Sequence, residues 1–189
     1  MLVLASGSPR RQQFLAWFGV PYQVLPAEVD ERPRPHEAAG DLVLRLARAK
    51  AVAVAARRPA DWVLAADTIV ELDGVMFGKP ADAGEAARML GRLAGREHHV
   101  WTGFALLRPG GDEHSAERVV TRVRFRPLGA RAIGRYVASH EGDDKAGAYA
   151  VQGLGAGLIE RIDGSFTNVI GLPLVEVGRA LEEAGLLAR

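Results

Sequence analysis

Arg10 and Arg11 stand where cations are disfavoured, in the first turn of a helix that Ser8 would cap and Pro9 would open. An anion held between the exposed backbone N–H groups and the two guanidinium groups would compensate for that placement, and so would plain solvation. Asp67 falls inside the apolar, β-compatible run from Trp62 to Leu72. A carboxylate there has to be paired, metal-bound or turned toward a cleft. Only three of the 24 basic residues are lysines, Lys50, Lys79 and Lys145, which gives each of them individual weight. Lys50 lies near the apolar seam of a helical pattern, where it either snorkels or serves a site. Lys79 sits in the compact loop Phe77-Gly78-Lys79-Pro80, Glu31 ends the acidic trio Glu28, Asp30, Glu31, and Gln152 is bordered by glycine. A set of cations and carboxylates suits metal-assisted hydrolysis of a phosphoanhydride.

The elements that must position these residues follow from pattern. Residues 2–4 are too short an apolar run for anything but a buried strand, and Ser6-Gly7-Ser8 turns the chain into a helix reaching residue 18, with Phe14, Leu15, Trp17 and Phe18 as its apolar face and Gly19 as its stop. Residues 22–25 read as a strand and 28–37 as a polar, proline-containing loop. Leu42, Leu46, Ala49 and Ala53 give helical spacing over residues 38–57. Strands over 62–66 and 68–72 flank Asp67 and lead into an Asp73-Gly74 turn, and Asp82 with Glu85 begins a helix that runs to 93. Residues 98–107 and 116–125 form a hairpin in which His98 and His99 face opposite ways, so they do not share a metal ion. A helix over 128–139, strands over 148–151, 158–162 and 167–170, and a closing helix over 172–187 complete an α/β pattern with parallel and hairpin connections.

Composition narrows the classes further. The chain has 189 residues, enough for one domain or two small lobes, with 48% hydrophobic and 25% charged residues. A net charge of +1 argues against a nucleic-acid partner, and the lack of cysteine removes disulfides, thiolate metal sites and a cysteine nucleophile. No apolar run reaches the length of a membrane span and no signal peptide opens the chain, so a cytoplasmic protein without membrane contact is expected. There is no G-x-x-x-x-G-K-[ST] loop and no G-x-S-x-G or Ser-x-x-Lys element. The glycines at 153, 155 and 157 have the wrong spacing for a dinucleotide fold, and residues 179–185 carry glutamates at the wrong offsets for a Nudix box.

The ordered motifs Ser6-Gly7-Ser8-Pro9-Arg10-Arg11, Val29-Asp30-Glu31, Leu46-Ala47-Arg48-Ala49-Lys50-Ala51, Ala66-Asp67-Thr68-Ile69-Val70, Gly78-Lys79-Pro80, Asp144-Lys145-Ala146-Gly147-Ala148-Tyr149, Val151-Gln152-Gly153, Gly164-Ser165-Phe166 and Gly171-Leu172-Pro173 span almost the whole chain. Together they resemble the Maf (septum formation inhibitor–like) nucleoside triphosphate pyrophosphatases. The resemblance implies a single Maf-like domain over residues 1–189, with an inosine triphosphate pyrophosphatase-like fold. That fold is a long twisted mixed sheet flanked by helices, in two lobes with a cleft between them. It implies cleavage between the α- and β-phosphorus of a nucleoside triphosphate with a divalent cation, Mg2+, Mn2+ or Co2+. Asp67 matches the proton acceptor, Ser6, Arg10, Arg11, Lys50 and Lys79 match phosphate-holding residues, and Glu31 with Asp67 matches the metal site. Arg10, Thr68 and Gln152 mark the subgroup acting on dTTP and UTP, and the Gln152 amide offers a donor and an acceptor to a pyrimidine edge. A homodimer is expected on the same basis. The family's association with septation carries one alternative, a nucleotide-binding regulator of cell division with little hydrolysis.

Overall fold

The computed structural model describes residues 1–187; residues 188 and 189, the end of the expected 1–189 domain, lie outside the described residues. Strands β1 (Leu2–Leu4), β2 (Tyr22–Val24), β3 (Trp62–Leu72), β4 (Val75–Phe77), β5 (Glu97–Leu107), β6 (Glu113–Phe125) and β7 (Ile159–Asp163) form one mixed sheet. Its order is β2-β1-β3-β5-β6-β7, with β4 paired to β3. Helices α1 (Pro9–Trp17), α2 (Ala39–Ala55), α3 (Ala83–Leu93), α4 (Ala130–Val137), α5 (Phe166–Ile170) and α6 (Leu174–Glu183) flank it. The chain divides into two compact units, and the division falls within β3, β5 and β6.

The first unit holds Met1–Asp67, Thr102–Val119 and the chain from Gly171 onward. β1 lies between β2 and β3, parallel to both, with Val3 in register with Gln23 and Val63. One face of this sheet carries Val3, Ala5, Val63, Ala65, Ala105 and Leu107, and Ala47, Ala51 and Val54 of α2 pack against them. Small residues on both sides let α2 come close. The limit is reached at Gly103 on β5, where a Cβ would stand 2.5 Å from the Val43 carbonyl carbon and 2.6 Å from Leu44 N. Because both neighbours are backbone, Gly103→Ala can be accommodated only by moving the helix, at a cost of about 1–3 kcal/mol. Urea denaturation should register that loss, and an unchanged midpoint would show that α2 is not packed this tightly.

The second unit holds Thr68–Trp101 and Val120–Ile170. The Asp73-Gly74 turn makes β3 and β4 a hairpin, with Val70 opposite Phe77. Asp82 caps α3 by accepting from Glu85 N at 2.7 Å, and Glu85 accepts in return from Ala81 N at 2.6 Å. Leu72, Phe77, Leu90, Leu93, Val123, Phe125 and Tyr149 form the core. Two polar groups are built into this interior. Asn168 Nδ2 donates to Val100 O and to Thr121 Oγ1, each at 3.0 Å, and Thr121 Oγ1 donates to Ser165 O. His98 lies fully buried, with Nε2 2.8 Å from the Tyr149 hydroxyl and its ring edge-on to Phe125, whereas His99 meets Glu71 at 3.2 Å.

Burial pushes His98 down from 6.5 to about 3, with a smaller contribution from His99. Between those values the unfolded chain binds a proton that the folded chain does not. The contribution of His98 is therefore complete above pH 6.5 and is lost as pH falls toward 3, with a slope of up to about 1.4 kcal/mol per pH unit. Denaturation midpoints at several pH values should fall more steeply on acidification for the wild type than for His98→Gln. Parallel slopes would contradict the buried neutral imidazole.

Several elements depart from the sequence expectations. β3 runs unbroken through Asp67, and β4 takes in Phe77, which was expected in a loop. Residues 148–151 do not form a strand, because a 3-10 turn occupies Ala146–Ala148 with Gly147 at φ 71° and Ala148 at φ 59°. Residues 167–170 belong to α5 rather than a strand, since Ser165 Oγ accepts from Asn168 N at 3.2 Å and acts as a helix cap. The closing helix is shorter than expected, starting after Pro173 and ending at Glu183. In α1, Phe14 and Leu15 are buried but Trp17 is 62% exposed.

Candidate active site

Strand periodicity explains how the charged residues of the first unit meet. Val63 and Ala65 face α2, so the next side chain on that face of β3 is Asp67. On α2, Lys50 lies among Ala47, Ala51 and Val54 and is only 8% exposed. Its Nζ stands 2.5 Å from Asp67 Oδ1 and 2.6 Å from Glu31 Oε1, the latter reaching in from the loop over residues 28–37. Lys50 does not snorkel: its ammonium is held between two carboxylates. The pairing satisfies both the buried cation on α2 and the carboxylate placed in the strand.

The turn after β1 supplies the opposite charge. Ser6 is buried, and its Oγ accepts from Ser8 N at 3.3 Å and from Arg11 Nη1 at 3.2 Å. Ser8 caps α1 by accepting from Arg11 N, and Arg11 Nε donates to Gly171 O at 2.7 Å. Arg11 is thus braced from two sides. Burial pushes its guanidinium below the ordinary value; Asp67 opposes that shift, Arg10 adds to it and Glu31 opposes it. The four groups therefore share one electrostatic neighbourhood, and no acidic residue in the first turn of α1 offsets the arginines. Arg10, Arg11 and Lys50 against Glu31 and Asp67 leave an excess of positive charge suited to a polyanion.

The carboxylate pair also fits a hard divalent cation. Asp67 and Glu31 come from different elements, yet their oxygens converge on one point, the Lys50 ammonium. Two carboxylates with phosphate oxygens and water are a usual ligand set for such an ion. Among the described residues no group of three or more His, Cys, Asp or Glu side chains is placed to hold a metal.

The remaining expected residues lie in the second unit. Thr68 follows Asp67 on β3, and strand alternation turns it to the opposite face. Lys79 is exposed just after β4, and Gln152 is exposed at the start of the 3-10 turn Gly153–Leu158, where its side chain makes no capping bond. The Gly171 carbonyl that orients Arg11 leaves no mark on side-chain pattern, being a main-chain acceptor 160 residues away. No helix among the described residues is long and apolar enough to cross a membrane.

Comparison with known proteins defines the class. The family model for Maf-like proteins matches residues 1–184, and the chain belongs to that family. It is 50% identical over 186 residues to a dTTP/UTP pyrophosphatase of Geobacter metallireducens, covering 98% of this chain and 97% of the relative. It is 51% identical to a dTTP/UTP pyrophosphatase of Methylococcus capsulatus, covering 98% and 91% of the two chains. Its fold is similar to that of the Ham1 protein of Staphylococcus aureus (TM-score 0.51, 15% identity, 97% and 98% covered). A HAM1 protein of Coxiella burnetii shares it too (TM-score 0.51, 17% identity, 96% and 98% covered).

Proposed function

We propose that this chain, working as a single Maf-like domain, hydrolyses dTTP and UTP to the nucleoside monophosphate and pyrophosphate. The observation that carries the reading is the convergence of Asp67 and Glu31 on Lys50, in the same electrostatic neighbourhood as Arg10 and Arg11. The full-length relatives named dTTP/UTP pyrophosphatases support the choice of substrate.

The residues divide the work by their chemistry. Arg10, Arg11 and the N-terminal N–H groups of α1 bind phosphate oxygens, with Ser6 and Gly171 O keeping Arg11 in place. Lys50 neutralises charge that builds on the phosphates as the α–β bridge breaks. Asp67 accepts a proton from the water that attacks the α-phosphorus, a role open to a carboxylate held in place by Lys50 Nζ. A divalent cation held by Asp67 and Glu31 would screen the phosphate oxygens and lower the pKa of a bound water. Lys79 gives a further phosphate contact, Gln152 reads the base edge, and Arg10 and Thr68 contribute to the choice of base.

Pyrophosphate release measured on dTTP, UTP, CTP, GTP and 7-methyl-GTP, with Mg2+, Mn2+ or Co2+ and then with EDTA, tests this directly. The expected result is preference for dTTP and UTP and loss of turnover in EDTA. Equal turnover of all five nucleotides would overturn the base assignment, and full activity in EDTA would overturn the metal assignment.

A further inference from the structure

Gln152 is the extended residue just before the 3-10 turn Gly153–Leu158, so its exposed amide is useful for recognition only if something fixes the backbone on either side of it. Glu141 supplies that support. Its two carboxylate oxygens accept separately, Oε1 from Leu154 N at 2.8 Å and Oε2 from Gly155 N at 2.7 Å. A hydrogen bond joins the same carboxylate to Tyr136, whose hydroxyl accepts from Ala150 N at 2.9 Å. The backbone is thus pinned on both sides of Gln152, at 150 and at 154–155. Burial acts to raise the Glu141 carboxyl, and the bonds from Leu154, Gly155 and Tyr136 outweigh it, leaving it below its ordinary value.

The local sequence is shaped around this carboxylate. Gly153 has φ 68°, and a Cβ there would collide with Glu141 Oε1, while one at Gly155 would collide with Ala150 O. Lys145, the third lysine, donates to Glu141 O and to Asp144 Oδ1, each at 2.5 Å. The turn it closes continues to Gly147, whose N–H donates at 3.0 Å to Gly78 O, the residue before Lys79.

We propose that Glu141, with Tyr136 behind it, is a positioning residue that fixes the Gln152 loop for base selection. The proposal rests on the reading of Gln152 as the base-reading group. Glu141→Gln replaces one acceptor oxygen by a donor that faces a backbone N–H, freeing one side of the loop. The ratio of kcat/KM for dTTP to that for GTP should fall about tenfold, through the KM for dTTP more than through kcat. Tyr136→Phe deletes only a hydroxyl and should lower the ratio about threefold, which keeps the test available if Glu141→Gln fails to fold. In the double variant with Gln152→Ala the ratio should fall no further than in Gln152→Ala alone, because the two changes act on one interaction.

A ratio unchanged in folded Glu141→Gln or in Tyr136→Phe would overturn the proposal, as would losses that multiply in the double variant. If Gln152→Ala itself leaves the ratio at the wild-type value, the base-reading role of Gln152 fails. If it lowers the ratio while Glu141→Gln does not, the positioning role alone fails.

Discussion

Asp67→Asn should lower kcat by about a thousandfold while nucleotide binding persists. The amide is nearly isosteric and keeps an oxygen that can accept from Lys50 Nζ, now 2.5 Å away in the wild type, so the geometry of β3 and α2 should survive. What it lacks is the capacity to take a proton from water. Because Arg10, Arg11 and Lys50 remain, the affinity of a non-hydrolysable dTTP analogue measured by calorimetry should change by less than about tenfold, the loss falling on kcat rather than on binding. A variant that still releases pyrophosphate near the wild-type rate would remove Asp67 from the chemistry.

Lys50→Met should be nearly as damaging for a different reason. The methionine stem can fill the space among Ala47, Ala51 and Val54, so packing is largely kept. The charge is not: Asp67 and Glu31 would face each other without the ammonium that now separates them. Glu31 can turn to solvent, its side chain being 61% exposed, whereas Asp67, at 13%, cannot. A stability loss of about 1–3 kcal/mol is expected, below the figure for a wholly buried pair because of that exposed partner. The specificity constant should fall by about a hundredfold or more, since the positive charge nearest the carboxylate pair is gone. If kcat/KM stayed at the wild-type value and only the melting temperature fell, Lys50 would be a structural cation and nothing more.

How far these roles could be read from the chain depends on the range of the interaction behind each. Ser8, Pro9, Asp82 and Glu85 announced their helix starts because a cap is a contact over three residues. Asp67 stood out as a carboxylate in an apolar strand, which stated a problem without giving its solution. Lys50, 17 residues earlier, could be named as unusual but not paired, since pairing depends on which face of α2 meets which face of β3. That choice is made by small residues such as Gly103, whose need to be glycine arises only from its contact with the α2 backbone. The segments that differ from expectation are those where tertiary contacts overrule local propensity. Thr167, Val169 and Ile170 favour strand, but the Ser165 cap and the buried Asn168 turn them into α5. The tie from Glu141 to Leu154 and Gly155 was also invisible, because its acceptor side is one ordinary glutamate and its donor side is backbone.

Hydrolysis by this site is expected to send water to the α-phosphorus of a pyrimidine nucleoside triphosphate. A single turnover of dTTP in water enriched in oxygen-18, with the products separated and weighed by mass spectrometry, shows which phosphorus the water attacks. One labelled oxygen is expected in dTMP and none in pyrophosphate. Label in the pyrophosphate would place the attack on the β-phosphorus, and release of orthophosphate with dTDP would place it on the γ-phosphorus; either result would rule out attack at the α-phosphorus.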